Sequence, residues 1–419
     1  MLSYYKHYLK YILKWAAISI IIGIITGSAA AFFLYTLDIV TNYRESNVWI
    51  IAFLPIGGFL IGLMYHYWGE EANSGNNLII ENIQKPKPNI ITWRMAPFVY
   101  IGTMVSHLLG GSAGREGTAV QMAGSLMDQF SKPFNLNESD RKILLKGAVA
   151  AGFGSVFGTP LAGAIFALEF IKIGKINYKA LFTVFLSSIL ADLITKAWNI
   201  PHTHYVIDFV PALDIFTLIY IFPAGIAFGL CAFLFSTSMH WTSGLYKKHI
   251  SYAPFRPLIG GTVVALGVYF VGHTRFIGLG IPSIVSSFKV LLHPTDWFAK
   301  ILFTVATLSA GFKGGEVTPL FYIGATLGNA LSYIIPLPTA LLAGMGFVAV
   351  FAGATNTPLA CIIMAIELFG VECGVYTALA CVIAYGVSAY TSIYTSQLLG
   401  ITKNGIRVGD NIRIKDLMK

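Results

Sequence analysis

The stretch GGSAGREGTAVQ, residues 110–121, places an Arg-Glu pair, Arg115 and Glu116, among glycines in an otherwise apolar region. Its flanks decide what that pair means. The chain has 419 residues, 56% hydrophobic and only 11% charged, where ordinary soluble domains carry about 25% charged residues. That is too little polar surface to cover a water-soluble globule. Residues 15–37 and 215–239 hold no charge at all, and each is long enough to cross a hydrocarbon core of roughly 30 Å as a helix. Further apolar blocks lie near 50–65, 95–110, 147–168, 181–191, 258–272, 317–350 and 374–399. The short alternating segments of a membrane barrel are missing. The chain therefore reads as an all-α polytopic membrane protein. A charge embedded in it is costly and marks a functional position.

The first apolar run is too long for a cleavable signal peptide. Cys231, Cys361, Cys373 and Cys381 fall in or beside apolar runs at no metal-ligand spacing and read as packing residues. The net charge of +9 could suggest nucleic acid, but its distribution does not. Lys and Arg gather near both ends (Lys6, Lys10, Lys14; Lys403, Arg407, Arg413, Lys415, Lys419) and in connecting segments (Lys132, Arg141, Lys142, Lys146; Lys247, Lys248, Arg256). This is the positive-inside pattern, and it places both termini in the cytoplasm. The segment 198–214 lacks Lys and Arg and reads as external.

Two motifs recur in the same order. Thr159-Pro160-Leu161-Ala162 returns 198 residues later as Thr357-Pro358-Leu359-Ala360, and Glu169 then matches Glu367. GREGTAVQMAG (114–124) aligns with GGEVTPLFYIG (314–324) at an offset of 200, which pairs Glu116 with Glu316 and Thr118 with Thr318. Internal duplication of this kind is a transporter signature, and helices broken by Gly and Pro at corresponding places in the two halves point to the binding site. In lipid such breaks survive only where they are buried in protein or line a water-filled cavity.

GREGT reads as a glycine turn opening a helix. Helix N-termini expose unpaired N–H groups and suit anions, and glycine lets backbone approach an ion closely. Glu116 at such an end can occupy the anion's place while ionised and leave once protonated, which couples anion to proton. GGEVTP offers a second such start, with Pro319 tolerated in a first turn, Glu316 as a second carboxylate and Thr318 as a hydroxyl donor. SGNNL (74–78) is a third candidate turn, in which Asn76 and Asn77 can donate amide N–H groups.

Together these motifs resemble the CLC family of anion channels and proton-coupled antiporters. The likeness covers nearly the whole chain and rests on GREGT, GTPLAGAIFALEF, GGEVTP and YTSIYTS in the family's order. It implies a homodimer in which each subunit has its own pore, built from two inverted repeats of tilted, often incomplete helices. The repeats would run about 15–205 and 206–400 within one transmembrane domain, 1–419, followed by a short cytoplasmic tail at 401–419 and no CBS domains. Glu116 maps to the external gate and Tyr394 to the tyrosine that helps hold the central anion. The departures bear on substrate. Asn76 or Asn77 stands where chloride-selective members have a serine, and Thr118 replaces a proline. Glu316 and Thr318 sit in a motif usually without acid, and Phe170 stands where chloride exchangers carry a second, internal glutamate. The combination looks like the family's fluoride/proton antiporters, a bacterial inner-membrane branch. The resemblance thus implies fluoride export in exchange for protons, with Glu116 as gate and proton carrier, Glu316 assisting, and Asn76, Asn77, Gly117, Thr118, Val317, Thr318 and Tyr394 around the ion. No cofactor, metal or nucleic acid is expected.

Fluoride is small and strongly hydrated, so its site must offer strong donors, which amides and hydroxyls supply. A chloride/proton antiporter and a passive anion channel are the competing readings. A nucleotide site fails because GREGT lacks the Lys-Ser/Thr of a phosphate loop, and no HExxH or serine-based catalytic pair appears. Glu169, Glu367 and His107 read as structural, and His202 and His204 as loop residues. Trp15, Trp68, Trp93, Trp198 and Trp297 suit the interface belt. Arg115 either pairs with a carboxylate or faces the cytoplasm; Lys313 either draws anions or snorkels.

Overall fold

The computed structural model describes residues 2–403, 405–406 and 412–417; Arg407 and Lys419 of the basic tail lie outside them. The first set of helices is α1 (Leu2–Ser46), α2 (Leu54–Trp68), α3 (Asn76–Gln84), α4 (Met95–Leu108), α5 (Glu116–Asp128), α6 (Glu138–Phe157), α7 (Pro160–Glu169) and α8 (Leu181–Ala197). The second is α9 (Ile215–His249), α10 (Phe255–Val271), α11 (Ile281–Ser287), α12 (Asp296–Leu308), α13 (Val317–Leu331), α14 (Thr339–Thr355), α15 (Pro358–Phe369) and α16 (Gly374–Val387), with a short α17 (Ile414–Leu417) after it. Four stretches, Tyr8–Ser46, Val48–Trp68, Tyr178–Ala197 and Ile215–His249, are long and apolar enough to cross a membrane. The shorter helices pack between them.

The halves repeat their packing. Helix α1 lies on α8 as α9 lies on α16, and α5 on α6 as α13 on α14. Across the halves α2 meets α10, and α7 meets α15. The apolar block 147–168 is split between α6 and α7 at Gly158, and the next half is split likewise at Asn356. Both residues are left-handed, with φ of 70° and 57°, and a left-handed residue after the last helical turn is a common helix stop. Pro160 and Pro358 then open the following helices at their first positions, where a missing N–H costs nothing.

Each of those helix starts is capped by the other half. The Glu367 carboxylate accepts from the N–H groups of Leu161 and Ala162 at 2.9 and 2.8 Å. Glu169 does the same for Leu359 and Ala360 at 3.2 and 2.9 Å. A carboxylate at a helix N-terminus satisfies orphan donors and favours the helix dipole. Reciprocal contact of equivalent residues is what a two-fold relation between the halves requires. Removing one acceptor orphans two amides, at about 1–3 kcal/mol. Glu169→Ala therefore lowers the unfolding midpoint in detergent, and Glu169→Gln lowers it less. Proton coupling per folded molecule should survive both substitutions; its loss in Glu169→Gln would make Glu169 a proton carrier instead.

A second fastening lies on the basic face. Arg141 donates to Asp128 through Nε and Nη2 at 2.7 and 2.6 Å, and to the Lys87 carbonyl at 2.6 Å. Both side chains are nearly buried. The bidentate geometry, with Ile91 N–H also donating to Asp128, satisfies the charges that burial would otherwise penalise. Arg141 thus staples the 85–94 loop rather than serving only as a topology signal. Trp15 departs similarly from its expected place: it is fully buried, whereas Trp68, Trp93 and Trp198 are exposed. The four cysteines are buried and unpaired.

Candidate functional site

The two glycine turns meet at the centre of the molecule. Gly114 N–H donates to the Gly315 carbonyl at 2.6 Å and Gly315 N–H returns the bond to Gly114 at 2.8 Å. Gly110 and Gly311 carry left-handed φ of 90° and 109°, a conformation that favours glycine. Together with the helix starts at Glu116 and Val317, these pairs relate the turns one residue away from the pairing that sequence identity suggests. In space Glu316 is the counterpart of Arg115, each preceding its helix, and Glu116 is the counterpart of Val317. The matching of Glu116 with Glu316 is thereby corrected.

This register distributes the charges. Equivalent residues of the two turns face opposite cavities. Arg115 lines a small cavity of about 10 Å³ with Phe157, Thr203, Tyr205 and Thr318, near the size of one water. Glu316 lines a wide vestibule of about 770 Å³ on the basic face, together with Asn76, Asn77 and Tyr394. Among the described residues Arg115 forms no ion pair, and it lines the small cavity rather than the vestibule.

Glu116 is 1% exposed and touches Thr318 of the small cavity and Gly315 beside the vestibule residues Gly314 and Glu316. Its Oε1 accepts a hydrogen bond from the Thr318 hydroxyl. Its Oε2 has no hydrogen-bond partner among the described residues. The carboxylate rests on bare backbone: a methyl added to Gly114 or Gly315 would stand 2.7 or 2.6 Å from Oε2. The site is thus a carboxylate in a cradle that only glycine leaves open.

The other expected residues are placed as follows. Gly75, with φ 55°, turns the chain into α3 so that Asn76 opens the helix. The Asn76 amide nitrogen lies 3.2 Å from where a Gly117 side chain would begin, and its Oδ1 is buried without a partner. Asn77 is differently employed: its Oδ1 accepts from Ser396 N–H at 2.9 Å and ties α3 to the Tyr394 loop. The Thr118 and Thr103 hydroxyls are bonded to each other at 2.7 Å. Gly117 abuts Gly315, and Val317 is buried. The Tyr394 ring packs edge-on against Phe170, centroids 5.9 Å apart, and Phe170 stacks on Phe166 at 4.8 Å. Position 170 is therefore filled by an apolar stack. Lys313 lines the vestibule, where it holds the Asn73 side chain at 3.1 Å and lies over the Tyr65 ring; it points to the anion side rather than to lipid. His107 contacts the Gly114 carbonyl through Nε2 at 3.3 Å, supporting the turn. His202 lies 3.8 Å from Asp192; burial, then the nearby Arg115, pushes its imidazole down from its ordinary value.

Lys247, Arg256 and Lys415 also line the vestibule. Sequence reasoning took these charges only as topology markers. The signal that could have found them is their basic character at the ends of broken helices, where a positive field concentrates anions.

A family profile described as voltage gated chloride channel matches residues 57–389. A chloride/fluoride channel protein of Pseudomonas syringae pv. tomato is 50% identical over 415 residues, 98% of this chain and 92% of that one. An H(+)/Cl(−) exchange transporter of Vibrio cholerae is 25% identical over 380 residues, covering 84% and 81%. The crystal structure of a CLC-type fluoride/proton antiporter superimposes with a TM-score of 0.90 at 32% identity, over 92% of this chain and 98% of that one.

Proposed function

The chain belongs to the voltage gated chloride channel family, CLC, and we propose that it moves fluoride out of the cell in exchange for protons. One observation carries the reading: the buried Glu116 carboxylate, bonded among the described residues through one oxygen only, joins Thr318, which lines one cavity, to Gly315, the neighbour of Gly314 and Glu316, which line the other. The solved antiporter that the chain superimposes on is a fluoride/proton exchanger, and the half-identical relative carries fluoride in its name.

The geometry suggests how exchange proceeds. An anion is drawn into the vestibule by Lys247, Arg256, Lys313 and Lys415. While ionised, Glu116 holds the Thr318 hydroxyl and excludes the anion. Protonated, it gives up that bond readily, and Thr318 and the Asn76 amide can serve fluoride instead. Protonated Glu116 can itself donate to fluoride, a strong acceptor. Glu316, at the vestibule wall, passes the proton between Glu116 and water, since Phe170 has none to give. Asn77, Thr118, Gly117, Val317 and Tyr394 shape the ion's surroundings. The working unit is a homodimer, and each chain is a single transmembrane domain over 1–419. It lies in the bacterial inner membrane with both termini in the cytoplasm, the side on which basic residues gather.

The relative's name also raises the passive channel. A channel needs a path open to both faces at once; the burial of Glu116 and its bond to Thr318 favour the exchanger. Reconstituted liposomes decide: an outward fluoride gradient should drive proton uptake, and an equal chloride gradient should drive much less. Fluoride flow without proton uptake would establish a channel, and equal proton uptake with chloride a chloride exchanger.

A further inference from the structure

A separate cavity of about 790 Å³ opens on the basic face, away from the vestibule. Its walls carry Lys142, Lys146, Lys172, Lys175 and Lys179, and Glu138 is the sole acid among its lining residues. Glu138 is itself exposed at the start of α6. Lys142 and Lys146 are one helical turn apart and so share a face of α6. Lys146 is only 8% exposed, and no carboxylate or hydrogen-bond acceptor among the described residues pairs with it. A buried ammonium beside a like charge is unfavourable unless an anion compensates it. Apart from Glu138, the anionic side chains nearby among the described residues are paired with other bases: Asp140 with Lys14 at 2.6 Å, and Glu81 with Arg413 at 3.3 Å.

We propose that this cavity binds the phosphate of an anionic phospholipid headgroup, with Lys142 and Lys146 as its principal contacts. Phosphate spreads charge over several oxygens and suits a cluster of ammonium groups better than a single carboxylate does. A free polyphosphate has the same chemistry, but the rim favours a lipid. Tyr178 lines the cavity beside the lysines and is 70% exposed, and Leu181 and Phe182, three and four residues on at the start of the membrane-spanning α8, are 40 and 42% exposed. Acyl chains can follow that apolar surface while the headgroup turns inward, as basic pockets between membrane helices do for acidic lipids. Its walls also include Lys172 and Leu398, which pair between the short segments Lys172–Ile173 and Leu398–Leu399.

The test compares the purified full chain with a Lys142→Gln/Lys146→Met variant, by thermal unfolding in detergent and by native mass spectrometry. The variant removes charge while keeping volume, so without lipid it should melt no lower than the parent. Phosphatidylglycerol should raise the parent's midpoint by several degrees and remain bound; in the variant its apparent affinity should be about thirtyfold weaker. Phosphatidylcholine should do neither in either protein. The proposal is overturned if the variant without lipid already melts lower, if phosphatidylcholine equals phosphatidylglycerol, or if inorganic triphosphate stabilises the parent and phosphatidylglycerol does not.

Discussion

Glu116→Gln is expected to reduce fluoride-driven proton uptake in liposomes to that of protein-free vesicles. The amide matches the carboxylate in size and can still accept from Thr318, so the cradle of Gly114 and Gly315 stays filled. What it loses is charge and proton. Without charge it no longer competes with the anion according to its protonation state, and without an exchangeable proton it carries none inward. Any remaining fluoride flow should be insensitive to the pH gradient. Paired recordings of fluoride efflux and internal pH on the same vesicles read both quantities. Proton uptake in normal ratio to fluoride in this variant would remove Glu116 from the mechanism.

The second large effect is expected at a residue with no side chain. Gly315 has no left-handed backbone requirement, so alanine is conformationally acceptable there. Its methyl, however, would stand 2.6 Å from Glu116 Oε2 and 2.8 Å from Gly117 N. A Cβ is fixed by the backbone, so the carboxylate must move. Overpacking of this kind costs about 1–3 kcal/mol. Because the carboxylate must return to this position in every cycle, that penalty slows the return step by about ten- to a hundredfold. Gly315→Ala should therefore transport fluoride poorly while eluting and melting as a folded protein. Gly244→Ala, with open space around the added methyl, should match the parent in both. Parental turnover in Gly315→Ala would show that the carboxylate does not work from this cradle.

Much of this was legible in the residues. The uncharged runs 15–37 and 215–239 revealed the membrane, and the doubled Thr-Pro-Leu-Ala and glycine-Glu motifs revealed two related halves. The turn chemistry around Glu116, Glu316 and Asn76 marked residues that the fold brings near one another. Other features depend on distances that one-dimensional matching does not measure. Identity aligns Glu116 with Glu316, yet the bridge Gly114–Gly315 and the helix starts at Glu116 and Val317 make Glu316 the counterpart of Arg115, because a one-residue slip in a glycine turn leaves few letters to reveal it. The equivalence of Glu169 and Glu367 was visible, but not that each serves the other's half. Asn76 and Asn77 look interchangeable as letters; the start of α3 sends one toward Gly117 and the other toward Ser396. Trp15 departs from the interface belt that a tryptophan near a span end ordinarily suggests, and the pairing of Arg141 with Asp128 shows only in its tertiary partners.

The exchanged carboxylate caps have a mechanical consequence. Many transporters alternate access by rocking one repeat against the other about a central site. Here such a swing would tear out four cap bonds and the paired glycine amides together. The two repeats are laced into one frame, so the travelling part must be small, on the scale of a side chain's reach rather than a bundle's arc.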